Sequence, residues 1–99
     1  MKTFLVDILL PKKMQEDINK AIPAQRKIVN VLLNEGVILS YSLSKKLNRL
    51  FIVMTQNSEE DIMITVQRFP IYKFIMDYEI IELNSYETVS SDMPQVFLN

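Results

Sequence analysis

The sequence predicts an α+β domain in which two helices cover one face of a four-stranded antiparallel sheet, in the order β-α-β-β-α-β. Three observations predict it. Two stretches of helical periodicity alternate with four stretches of strand character; Pro11, Gly36 and Pro70 punctuate them; and 99 residues suffice for one domain but not for two with separate cores.

The elements follow in order. Thr3 to Leu10 is Phe, Leu, Val and Ile on both faces apart from Asp7, and it stops at Pro11, which suits a central strand. Between Met14 and Glu35 the apolar residues Met14, Ile18, Ile22, Val29, Leu32 and Leu33 recur at helical spacing, so one face of a helix is buried. Proline is best tolerated in a first turn. Pro23 therefore predicts a short turn of helix through Glu16 to Ala21, then a main helix from Ile22 or Pro23, closed by Gly36 in a left-handed conformation.

Val37 to Ser44 alternates. Val37, Leu39, Tyr41 and Leu43 are expected on one side, with Ile38, Ser40, Ser42 and Ser44 on the other. The polar hairpin Lys45-Lys46-Leu47-Asn48 leads into a third strand, Arg49 to Thr55. Ser58 is placed to cap a helix opened by Glu59, Glu60 and Asp61, which carries Ile62, Val66 and Phe69 on one face and ends before Pro70. A last strand is expected over Tyr72 to Leu83. This order is the split βαβ arrangement of ferredoxin-like folds. Residues 1–83 form the domain, and residues 84–99 form a polar tail whose apolar end, Val96-Phe97-Leu98, is expected either to pack on a partner subunit or to fray as termini do.

With both helices on one side, the other side of the sheet is bare. Because its strands are apolar on both faces, association is expected, two sheets packing face to face as a homodimeric α+β barrel.

What is missing bounds the chemistry. There is no His and no Cys, which removes Cys/His zinc sites, a Ser-His-Asp triad, thiol nucleophiles and disulfides. One glycine cannot build a glycine-rich phosphate loop. A net charge of −1 offers no general attraction for nucleic acid or an anionic membrane, and Lys45, Lys46 and Arg49 are too few to make a patch. The six Met residues read as core filler. Asp7 interrupts the apolar N-terminal run, so no signal peptide is read there, and the cytoplasm is the expected compartment.

Val6-Asp7-Ile8-Leu9-Leu10-Pro11, the helix end Leu32-Leu33-Asn34-Glu35-Gly36, and Phe69-Pro70-Ile71-Tyr72 leading into Tyr78-Glu79-Ile80-Ile81 resemble the muconolactone Δ-isomerase family over about 80 residues. The resemblance implies a dimeric α+β barrel, larger assemblies of dimers, and a lactone double-bond shift by proton transfer with no metal or organic cofactor. It also implies where a site would lie. The family's Glu-Lys pair in the first helix aligns with Gln25-Arg26, and its Arg-His-Leu-Trp-Arg run in the second strand aligns with Leu39-Ser40-Tyr41-Ser42-Leu43. An amide cannot act as the base that a carboxylate can, so these exchanges point away from muconolactone itself.

Six residues are the candidates. Asp7, the ionisable residue of the first strand, is the candidate general base, its carboxyl raised by desolvation if it lines a closed apolar barrel. Arg26, with Gln25, would hold a carboxylate at the start of the main helix, and Ser40, Ser42 and Tyr78 would orient a polar group on an apolar ligand. Asp77 and Glu79 read as a solvent-facing pair. Two functions are carried forward: binding or cofactor-free isomerisation of a small apolar molecule in a barrel cavity, with no metal, and a non-catalytic oligomeric assembly or ligand-sensing module with a packed barrel.

Overall fold

The computed structural model describes residues 1–13, 16–46 and 48–88. Met14, Leu47 and the tail segment Val96-Phe97-Leu98, each given a role above, lie outside the described residues. Four strands, β1 (Lys2–Leu9), β2 (Ile38–Leu43), β3 (Arg49–Gln56) and β4 (Asp77–Leu83), form one sheet in the order β2-β3-β1-β4, every neighbouring pair antiparallel. Two helices, α1 (Glu16–Asn34) and α2 (Glu59–Gln67), connect them. The β-α-β-β-α-β order and the antiparallel sheet make this a ferredoxin-like α+β fold.

The core is the layer between the helices and one face of the sheet. Phe4, Val6 and Ile8 of β1 alternate inward with Leu50, Ile52 and Met54 of β3, and they meet Val29 of α1 and Ile62 and Val66 of α2, all fully or almost fully buried. Phe69 and Ile71, beyond α2, close the same layer. Burying side chains of this size stabilises by roughly 1.5–3 kcal/mol each, so the layer supplies most of what opposes chain entropy.

The helix ends are built as local chemistry dictates. Gly36, at φ +76, accommodates a conformation that disfavours a Cβ, although no atom lies within 4 Å of where one would sit. Its amide bonds the Leu33 carbonyl at 3.2 Å and that of Val37 bonds Leu32 at 2.9 Å, the paired closure that satisfies the last carbonyls of α1. At the start of α2, the Ser58 hydroxyl accepts from the Asp61 amide at 3.2 Å, while three acidic residues sit in the first turn where the helix dipole favours them.

Three expectations need correction. α1 runs unbroken from Glu16 through Pro23, not as two pieces. Pro23 and Asn19, whose carbonyl loses its donor, are both exposed, so water can serve that carbonyl. β2 carries a register irregularity between Ile38 and Ser40, and beyond it Tyr41 pairs with Ile52 and Leu43 with Leu50, inward-facing residues both. Ile38 is buried in the same layer, so it does not share a side with Ser40 and Ser42. Finally, the last strand starts at Asp77. Tyr72–Phe74 is a short 3₁₀ turn after Pro70, its Phe74 and Ile75 amides bonded back to the Ile71 and Tyr72 carbonyls.

The opposite side of the sheet is open. Register places Leu5, Val53 and Ile81 across from one another, then Asp7, Phe51 and Glu79, with Ser40 beside Val53 and Ser42 beside Phe51. No helix among the described residues covers this side, and none is long and apolar enough to cross a membrane.

Candidate functional site

A cleft of about 220 Å³ opens between the N-terminal half of α1 and the helix-facing side of the sheet. Its walls are aliphatic: Leu10 after β1, Ile18 and Ile22 of α1, Leu43 and Leu50 on the sheet, and Ile71 after α2. Its polar end is built by three residues, Gln25 and Arg26 of α1 and Tyr41 of β2. The helical spacing explains the first pair. Ile18, Ile22, Gln25 and Val29 recur every three or four residues, so Gln25 belongs to the inward face, and Arg26 follows at its edge.

Gln25 is 5% exposed, a polar side chain in an apolar layer, and both ends of its amide are occupied. The Ile71 backbone amide donates to its Oε1 at 3.4 Å, and its Nε2 donates to the Tyr41 hydroxyl oxygen at 3.3 Å. One side chain thereby ties α1 to β2 and to the segment after α2. The exposed Arg26 lays its guanidinium over the Tyr41 ring, with Cζ 5.6 Å from the ring centroid. Burial pushes the Tyr41 phenol above its ordinary value, outweighing the Gln25 hydrogen bond and the Arg26 charge, which act the other way. It is a protonated hydroxyl at neutral pH.

The six candidates divide between the two sides of the sheet. Gln25 and Arg26 share the cleft. Asp7, Ser40 and Ser42 stand on the open side, where Asp7 accepts from Arg49 Nη1 at 2.9 Å. Tyr78 faces the helix layer near the far edge, in an edge-to-face contact with Tyr72 at a centroid distance of 6.4 Å. Burial first, then Tyr72 beside it, pushes the Tyr78 phenol up. Asp77 and Glu79 are exposed and border a shallow depression that also contains Asp7 and Arg49. Among the described residues no group of three or more carboxylates is gathered to hold a metal ion.

Tyr41 is the functional-site residue that sequence reasoning passed over. It reads as one member of an apolar alternation, and its one distinguishing mark is a hydroxyl among aliphatic neighbours, which requires a partner once half-buried.

No protein-family model matches the chain, and no curated protein matches it. Among solved structures it is similar to the crystal structure of muconolactone isomerase at 3.3 Å resolution, with a TM-score of 0.69 over 91% of this chain and 97% of that one, at 19% sequence identity. The chain therefore has the fold of muconolactone isomerase.

Proposed function

We propose that this protein binds a small, mainly apolar molecule in the cleft between α1 and the sheet, and that it does so as a face-to-face dimer. The observation that carries the binding half is the cleft itself: six aliphatic walls converge on a three-residue polar end, the composition of a small-ligand pocket rather than of a packed core. The groups that line the cleft suit holding a ligand. Among the described residues no carboxylate lines the cleft, and Asp7, on the other side of the sheet, is engaged with Arg49.

The dimer half rests on the open side of the sheet. Leu5, Phe51, Val53 and Ile81 form an apolar patch there that α1 and α2 do not reach, and a second copy offers the same patch by two-fold symmetry.

The test of binding is a titration of the methyl-labelled chain with p-xylene, followed by NMR. The Ile18, Ile22, Leu43 and Ile71 methyls are expected to shift together, and Ile22→Trp, which fills the mouth, to abolish the response. Shifts scattered over the open side of the sheet, or none at saturation, would refute the cleft as a binding site.

A further inference from the structure

Leu43 is at odds with its neighbours. It ends β2, paired with the buried Leu50, yet its own side chain is 64% exposed, one of the most exposed apolar side chains among the described residues. The cleft accounts for only part of its surroundings. Leu43 and Leu10 wall the cleft, and the same two residues also wall a second, more open depression of about 420 Å³ at the end of the sheet, which Pro11, Ser44, Lys45 and Asn48 complete.

Strand order explains this arrangement. β3 lies between β1 and β2, and Leu50 is paired with Ile8 on one side and with Leu43 on the other, so Leu43 and Leu10, two residues beyond Ile8, flank the start of β3. Leu10 packs against the buried core, whereas Leu43 stands mostly in water. The boundary between the two hollows is therefore fixed on one side and free on the other. A leucine side chain in water can turn aside by exchanging one staggered rotamer for another.

The outer depression suits hydrocarbon better than ions. The Leu10 amide donates to the Asn48 carbonyl at 2.9 Å and the Ser44 amide to the Arg49 carbonyl at 2.8 Å, while Pro11 has no amide proton, so these three positions offer no N–H to an anion. Leu10, Pro11 and Leu43 supply its apolar wall, and its one charged member, Lys45, is exposed to water.

We infer that the cleft and the outer depression form one elongated site divided by the Leu43 side chain, and that its ligand is a linear apolar chain longer than the cleft alone can hold. This rests on the cleft reading proposed above. At the ~30 Å³ that one water takes in the liquid, the 220 Å³ of the cleft holds about seven heavy atoms. A compact molecule fills the cleft and leaves Leu43 in water; a chain of about eight to ten carbons continues past Leu43 over Leu10 and Pro11, and each methylene buried there adds about fourfold in affinity.

The experiment titrates 1-butanol, 1-hexanol, 1-octanol and 1-decanol into the whole chain and follows binding by NMR. Affinity is expected to rise about fourfold per methylene through the entire series, with no break at hexanol. The Ile18 and Ile71 methyls should shift with every alcohol, whereas the Ser44, Lys45 and Asn48 amides, which border the outer depression alone, should shift only with octanol and decanol. Pro11→Asp sets a carboxylate in the outer depression and should bring octanol and decanol down to roughly the affinity of hexanol, with hexanol itself within about twofold. If that variant does not fold, the wild-type series and its amide shifts decide alone. Affinity that levels off at hexanol, outer amides that stay still with decanol, or a Pro11→Asp chain that weakens all four alcohols equally overturns the elongated site, and the cleft reading stands so long as p-xylene still moves the cleft methyls. No shift of those methyls with p-xylene or any alcohol overturns both.

Discussion

Arg49 Nη1 lies 2.9 Å from Asp7 Oδ1, joining β3 to β1 on the side of the sheet that the helices leave bare. The side chains are 39% and 22% exposed, so the pair is neither a freely solvated surface contact nor a sealed one. For that setting the coupling between the two residues is expected at about 0.5–1 kcal/mol in a double-mutant cycle of Asp7→Ala and Arg49→Ala, measured by urea denaturation and weakening with added salt. Additive single losses would mean the contact contributes nothing.

The same side of the sheet is where association is predicted. Sedimentation velocity at micromolar concentration should show a dimer, and Leu5→Lys, which sets a cation between Val53 and Ile81, should return a folded monomer. A wild-type chain that stays monomeric would contradict the proposed pairing.

Gln25→Leu keeps most of the volume of the side chain but leaves the Ile71 amide with no acceptor in an apolar layer. The expected cost is about 1–3 kcal/mol, the penalty for a buried donor stranded without a partner. Thermal denaturation of the variant beside Gln25→Ala would separate this from simple loss of packing, since both variants strand the amide but Gln25→Ala also empties the space.

Tyr41 makes stability depend on alkaline pH. Its folded value is raised, so between the unfolded phenol value, about 10, and the folded one, the native chain holds a proton that the unfolded chain has lost. Stability is fully present below that lower limit and falls as pH rises through the window, with a slope of at most about 1.4 kcal/mol per pH unit for this one group. Denaturation series above pH ~10 should therefore show a shallower decline for Tyr41→Phe than for the wild type. Identical slopes would remove Tyr41 as a cause.

Much of this arrangement is readable before any coordinates. The strand and helix periods, the closing Gly36 and the Ser58 cap are local signals, each tied to one residue's own backbone or hydrogen-bonding needs, and they lie where those needs are met. Pro23 misleads because its penalty depends on whether water reaches the Asn19 carbonyl, which is a property of the surface and not of the residue. The candidate residues scatter for a similar reason. Asp7 and Arg26 read alike, as charges near apolar runs, but sheet register sends Asp7 to Arg49 on one side while helix phase sends Arg26 to the other. Tyr41 and Gln25 are 16 residues apart, and nothing along the chain announces that their amide and hydroxyl will meet.

The irregularity between Ile38 and Ser40 decides more than the shape of one edge strand. Counting by twos from an inward Ile38, a regular strand would send Ser40 and Ser42 to the helices and turn Tyr41 and Leu43 to the bare side. One surplus residue, Leu39, reverses that parity. The phenol at the polar end of the cleft, and the hydroxyl-bearing stripe on the opposite surface, are thus both consequences of an odd count: deleting Leu39 would leave a regular strand with Tyr41 and the serines on the sides they now occupy, whereas keeping Leu39 in a regular ladder would exchange them.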